Sequence, residues 1–162
     1  QYLLDHFKEF DFIWSSPPCP SHSKMSTTIA GLGIYRFPDM KLYEDIIFLQ
    51  QFFKGDWVVE NVVPYYEPLI RPNASLDRHL FWSNRRIDRN YRNYRNYIGS
   101  LTDQTITTLQ AAYNIELPTK TINKRKLLRN MVHPELGLRV FNSVALGKTD
   151  VSMNQQLNLI TE

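Results

Sequence analysis

FDFIWSSPPCPSHS, residues 10–23, runs from an apolar stretch through two prolines to Cys19, the one cysteine of the chain. Residues 10–16, apolar and closed by Ser15 and Ser16, read as a short strand covered on both faces, the pattern of a parallel sheet. Pro17, Pro18 and Pro20 restrict the backbone around the thiol and hold it just beyond that strand. Residues 17–37 are polar, with Gly31 and Gly33, and read as a long loop. PDMKLYEDIIFLQQFFKG (38–55) predicts a helix: Tyr43, Ile46, Ile47, Gln50 and Phe53 fall at helical spacing, Pro38 suits the first turn and Gly55 the stop. DWVVENV (56–62) reads as a second buried strand, ended by Pro64, and RHLFWSN (78–84) as a third. Strand, loop, helix, strand is a βαβ unit with a right-handed crossover expected. The expected fold class is therefore α/β, a mostly parallel sheet with flanking helices. Ligand chemistry in such sheets sits at the carboxyl ends of the strands. Cys19 follows the first strand, and Glu60 and Asn61 end the second, so a thiol and a carboxylate share one sheet edge.

Composition narrows the class. A chain of 162 residues suits one domain with a real core. There is no apolar run long enough for a membrane span and no signal-peptide pattern, so the expected location is cytoplasmic. The first residue is Gln1, and a preceding segment is expected. One cysteine allows no internal disulfide, and His6, His22, His79 and His133 show no close pairing, so no metal is expected. A net charge of +3 permits an anionic partner. RRIDRNYRNYRNYIGS (85–100) repeats a Tyr-Arg-Asn triplet. Its Arg86, Arg89, Arg92 and Arg95, interleaved with tyrosine, suit phosphates and stacked bases, or else a solvated loop. NKRKLLRN (123–130) reads as the basic cap of a surface helix, with phosphate contact secondary. Trp14 and Trp82 read as core, and His79 as a structural strand residue. WVVENVV offers Glu60 no nearby cation.

A PPC turn after an apolar strand, with a strand ending in ENV (60–62) downstream, resembles the cytosine-5 DNA methyltransferases, and among them the compact phage-type members. The resemblance runs from about residue 10 to at least residue 84. It implies a partial Rossmann-like methyltransferase fold, S-adenosylmethionine as methyl donor, and double-stranded DNA as partner. It implies a monomer that draws on the preceding segment. The target cytosine would leave the duplex stack. Cys19 would add to carbon 6 of the ring as a covalent nucleophile. Glu60 would hydrogen-bond ring nitrogen 3, Asn61 would brace the Cys19 loop, and Arg78 would contact the oxygen on carbon 2. Pro18, Ser21, His22, Ser23 and Lys24 would line the substrate side of the loop, with His22 and Lys24 toward DNA phosphates. Pro17 and the late FNSVA (141–145), through Asn142 and Ser143, would border the donor. The same segment also reads as a plain helix or strand. The implied division is a catalytic core at 1–84, a small basic recognition-like region at 85–130, and a segment at 131–162 that returns to the core, within a single domain.

The chain departs from the family pattern in several places. The Gly-rich donor turn and the acid that holds the ribose lie upstream of the PPC turn in that family, and nine residues precede FDFIW here. AGLGIYR follows the cysteine and is no substitute. Ala74 and Leu76 stand where the arginine motif carries glutamine and arginine, Pro20 where glutamine is common, and Phe141 where glycine is expected. Two other readings stay open. One is a catalytically incomplete remnant that binds nucleic acid without turnover. The other is an unrelated cysteine hydrolase with His22 as base, for which no third orienting group is visible. An RNA substrate is a variant of the first reading.

Overall fold

Strand β1 (Phe12–Ser15) lies beside β2 (Asp56–Val62), and helix α2 (Lys41–Phe52) connects them. A short helix α1 (Tyr2–His6) and a 3-10 turn (Phe7–Glu9) precede β1. The computed structural model describes residues 2–23, 31, 33, 37–90 and 105–147. Lys24, Arg92 and Arg95 lie outside them.

Strands β3 (Ala74–Leu76) and β4 (His79–Ser83) complete an open four-stranded sheet of order β1-β2-β4-β3. The sheet is mixed, which corrects the expectation of a mostly parallel one. β1 and β2 are parallel, whereas β4 runs antiparallel to both β2 and β3. The reason lies in what the connection contains. A parallel pair needs a crossover of a dozen or more residues, usually helical. Between Val62 and His79 the chain forms β3 and no helix. A two-residue link, Asp77 and Arg78, then folds β4 back on β3, with Leu76 opposite His79. Asp77 takes the left-handed conformation at φ 52° that this link requires.

Helix α2 starts later than its sequence suggests. The Asp39 carboxylate accepts from Lys41 N–H at 3.0 Å, and Asp39 N–H donates to Ser21 Oγ at 3.2 Å, which makes residues 38–40 a turn. Its buried face is Leu42, Tyr43, Ile46 and Leu49, extended by Phe53, whereas Ile47 and Gln50 point outward. Gly55 is fixed by contact: a Cβ there would sit 2.3 Å from the Asp11 carbonyl oxygen. That approach lets Asp56 N–H donate to the same oxygen at 3.1 Å, where β2 begins.

Alternation along the strands gives the sheet two apolar faces. On one, Trp57, Val59, Leu80 and Trp82 pack against α2. On the other, Val58 and Phe81 meet Leu136, Val140 and Val144 of α5 (Pro134–Ala145). The 134–145 stretch is thus a helix. Pro134 opens it, and the His133 side chain caps it by accepting from Glu135 N–H at 3.3 Å. Trp82 is core, as read, whereas Trp14 is half-buried against the α5 face. Helices α3 (Ile106–Tyr113) and α4 (Lys124–Asn130) form a smaller unit around Leu109, Tyr113 and Leu128. Among the described residues, no helix is long and apolar enough to cross a membrane.

Candidate functional site

The strand register brings the site residues to one edge. Ser15, the last residue of β1, pairs with Val59, so the chain leaving β1 passes Glu60 and Asn61. β4 runs the other way, and its first residue, His79, pairs with Val62 at that same edge. Arg78 precedes it in the β3–β4 link. Cys19, Glu60, Asn61, Arg78 and His79 therefore meet where three strands end or begin.

The Cys19 turn is held at several points. Asn61 Nδ2 donates to the Pro17 carbonyl at 3.0 Å, which ties the end of β2 to the chain two residues before the thiol. The Cys19 carbonyl accepts from the N–H groups of His22 and Ser23 at 3.0 and 3.1 Å. His22 lies buried rather than on a phosphate-facing surface, with Nδ1 2.5 Å from the Tyr66 hydroxyl. Tyr43 of α2 donates to that hydroxyl at 3.3 Å. Burial pushes the His22 imidazole below its ordinary value, partly offset by Asp39. Its carbonyl accepts from Tyr65 N–H at 3.2 Å, and Ser23 bridges to Pro64. The four residues after β2 are thereby the cradle of the loop that carries the thiol.

Burial pushes the half-buried Cys19 thiol above its ordinary value. A backbone hydrogen bond opposes the rise, the Glu60 carboxylate adds to it, and the Arg78 and Lys126 cations pull it back. The thiol thus lies within electrostatic reach of an acid from β2, a guanidinium from the β3–β4 link and an ammonium from α4. Burial lowers Arg78 from its ordinary value, but a guanidinium remains charged. Its Nη2 donates to the carbonyls of Arg129 and Met131, the latter at 3.3 Å, and so docks the end of α4 beside the site.

Glu60 is buried, and its Oε1 lies 2.5 Å from Nδ1 of the buried His79. The carboxylate that lacked a cation within WVVENVV finds its partner one strand over. Strand pairing makes this contact, and pairing cannot be read from a local window. The only signal is the alternation of HLFWS, which puts His79 and Phe81 on one face. Lys126 was likewise legible only as one cation of a basic run. It lines a cleft of about 630 Å³ with Pro18, Pro20, Ser21, Phe37 and Asp39.

The remaining predicted residues are placed differently. Arg89 is exposed, but its guanidinium donates to the Asn73 carbonyl, through Nε at 3.1 Å. Arg86 is exposed in the same stretch. Neighbouring charges are paired: Arg85 Nε with Asp56 at 2.6 Å, and Arg139 Nη1 with Asp88 at 3.2 Å. Ser143, read as a donor contact, is buried on α5; its hydroxyl donates to the Arg139 carbonyl at 2.9 Å and accepts from Asp88 N–H at 3.3 Å. Among the described residues, no three His, Cys, Asp or Glu side chains cluster as a metal site would need. The chain matches no protein-family model, no curated protein and no solved structure.

Proposed function

We propose that this chain activates a cytosine extruded from double-stranded DNA by adding Cys19 to carbon 6, preparing carbon 5 to take a methyl group from S-adenosylmethionine. One observation carries the reading: the sole thiol sits at a strand end within electrostatic reach of both a buried carboxyl and an arginine. The chemistry asks for these groups. Carbon 5 of cytosine is a poor nucleophile until a thiolate adds to the ring. As the sulfur–carbon 6 bond forms, the electron pair of the 5,6 double bond moves into the ring, and nitrogen 3 takes a proton from Glu60. The product is an enamine nucleophilic at carbon 5. Arg78 supplies positive charge beside the oxygen on carbon 2, where negative charge gathers. Loss of the carbon-5 proton to water re-forms the 5,6 double bond, the sulfur–carbon pair leaves on the Cys19 thiolate, and nitrogen 3 returns its proton to Glu60.

The methyl donor is a co-substrate, and two of the residues expected at its site, Pro17 and Ser143, already have partners within the chain. Asn61 engages the Pro17 carbonyl, and the Ser143 hydroxyl is spent on Asp88 and Arg139. The chain's own residues account for the activation of cytosine, and no donor contact is assigned to them. Their engagement favours the second reading, a nucleic-acid-binding chain without turnover. The test supplies donor labelled in its methyl group to the chain and duplex DNA, and assays the digested DNA for labelled 5-methylcytosine. Label that is lost with Cys19→Ser supports the reading; bound but unlabelled DNA supports the alternative.

A further inference from the structure

We propose that His79 is a positioning residue for Glu60: its Nδ1–H holds carboxyl oxygen Oε1, so that Oε2 alone offers the proton to ring nitrogen 3. The role rests on the cytosine-activating reading of Glu60. The sheet creates the pair. Glu60 on β2 stands opposite Phe81 on β4, and His79 is two residues from Phe81 on that same face. A diagonal neighbour of this kind is within reach of long side chains across an antiparallel pair. The contact is 2.5 Å, and the two residues are 7% and 2% exposed.

The surroundings leave few alternatives. Below the pair this face is apolar, with Phe81, whose ring lies 6.3 Å from that of His79, and with Leu136, Val140 and Val144 of α5. Among the described residues, the ionisable groups seen to act with Glu60 are Cys19 from the loop after β1 and Arg78 from the β3–β4 link. Behind Arg78 stand Tyr113 of α3 and Arg129 of α4, with Asp77 acting on Tyr113, and Lys126 of α4 acts on Cys19. No described residue hydrogen-bonds Oε2, and that oxygen is not among the sealed, unpaired polar atoms of the core. One oxygen is thus held by protein and the other is left for a ligand.

The proton inventory closes without a change on His79. When Cys19 adds to carbon 6, a proton that Oε2 takes up from solvent as cytosine binds passes to nitrogen 3, and the carboxylate so restored keeps the Nδ1–H bond. When the sulfur–carbon bond breaks, the proton returns to Oε2. A hydrogen bond to a carboxylate is stronger than one to a neutral acid, so His79 helps most once the proton has left. His79 also restricts carboxyl rotation, so the acidic proton points at the base.

Two measurements test this separately from methylation. The first is release of tritium from carbon 5 of cytosine in duplex DNA, which needs thiol addition and proton exchange but no methyl donor. His79→Phe removes the donor and is expected to slow release about 10- to 100-fold, the scale of a lost hydrogen bond to a charged group. His79→Gln keeps a neutral donor and recovers most of the rate. An unchanged rate in His79→Phe, or a loss that His79→Gln does not recover, overturns the proposal. The second measurement is nitrogen-15 NMR of histidine-labelled protein. The proposal requires a proton on Nδ1 of His79 whose signal moves in Glu60→Gln; a bare Nδ1 overturns it. If the wild-type chain releases no tritium, the cytosine-activating reading falls, and the NMR still decides whether His79 donates to Glu60.

Discussion

The two faces of the sheet use the same strand ends differently. On the α2 face, Trp57 and Val59 lead to Asn61, whose amide holds the Pro17 carbonyl and thereby the Cys19 turn. On the α5 face, Val58 leads to Glu60, whose carboxyl meets His79 and the field of Arg78. Adjacent residues of β2 thus take a scaffolding task and a chemical task, because successive side chains point to opposite faces. A one-residue slip of β2 would exchange them. Register, more than residue type, puts an acid rather than an amide beside the thiol.

The sharpest way to break this comparison is to make the two side chains alike. Glu60→Gln leaves amides on both faces and is expected to slow carbon-5 exchange by about 100-fold or more, the scale of a lost general acid. The same change removes a negative charge that raises the Cys19 thiol, so iodoacetamide alkylation of this single cysteine should quicken near neutral pH. Slower exchange with slower alkylation would contradict the placement of the acid.

The α2 face is tested through stability. Leu49→Ala empties a fully buried site on α2 and is expected to cost about 2–5 kcal/mol in denaturant unfolding. Asn61→Ala removes a buried hydrogen bond, with an expected loss of about 1–2 kcal/mol. It also frees the Cys19 turn, so its exchange rate should fall by more than the change in folded population explains. Equal losses of rate and stability would make Asn61 merely a core residue.

The smallest effects are electrostatic. Alkylation of wild-type Cys19 should rise through a pH above that of a free cysteine, because burial disfavours the thiolate. Lys126→Ala removes a cation that counters this rise, so alkylation at pH 8 should slow by about two- to threefold, as expected for an exposed charge. A faster reaction in Lys126→Ala would place that ammonium away from the thiol.

The sequence was most legible where local pattern governs. β2 matches its expected limits because seven residues alternate into two apolar faces. The Cys19–Glu60–Asn61 edge followed from strand ends alone. Features made by chain reversal were not legible. β3 has three residues and no periodicity to detect, and without it β4 reads as one more parallel strand. The Glu60–His79 contact depends on that reversal and was hidden with it. The outward positions of Ile47 and Gln50 depend on how α2 lies on the sheet, which helical spacing alone leaves open. Ser143 reads as a donor contact in FNSVA, yet on α5 its hydroxyl turns inward.

Covalent capture tests the central claim most directly. The chain would be mixed with duplex DNA carrying 5-fluorocytosine and with S-adenosylmethionine, then run on a denaturing gel. Fluorine cannot leave carbon 5 as a proton does, so after methyl transfer the sulfur–carbon 6 bond persists. The predicted result is a donor-dependent, slow-migrating protein–DNA band that Cys19→Ser eliminates. A chain that binds the duplex and forms no band, or a band that survives Cys19→Ser, would contradict it.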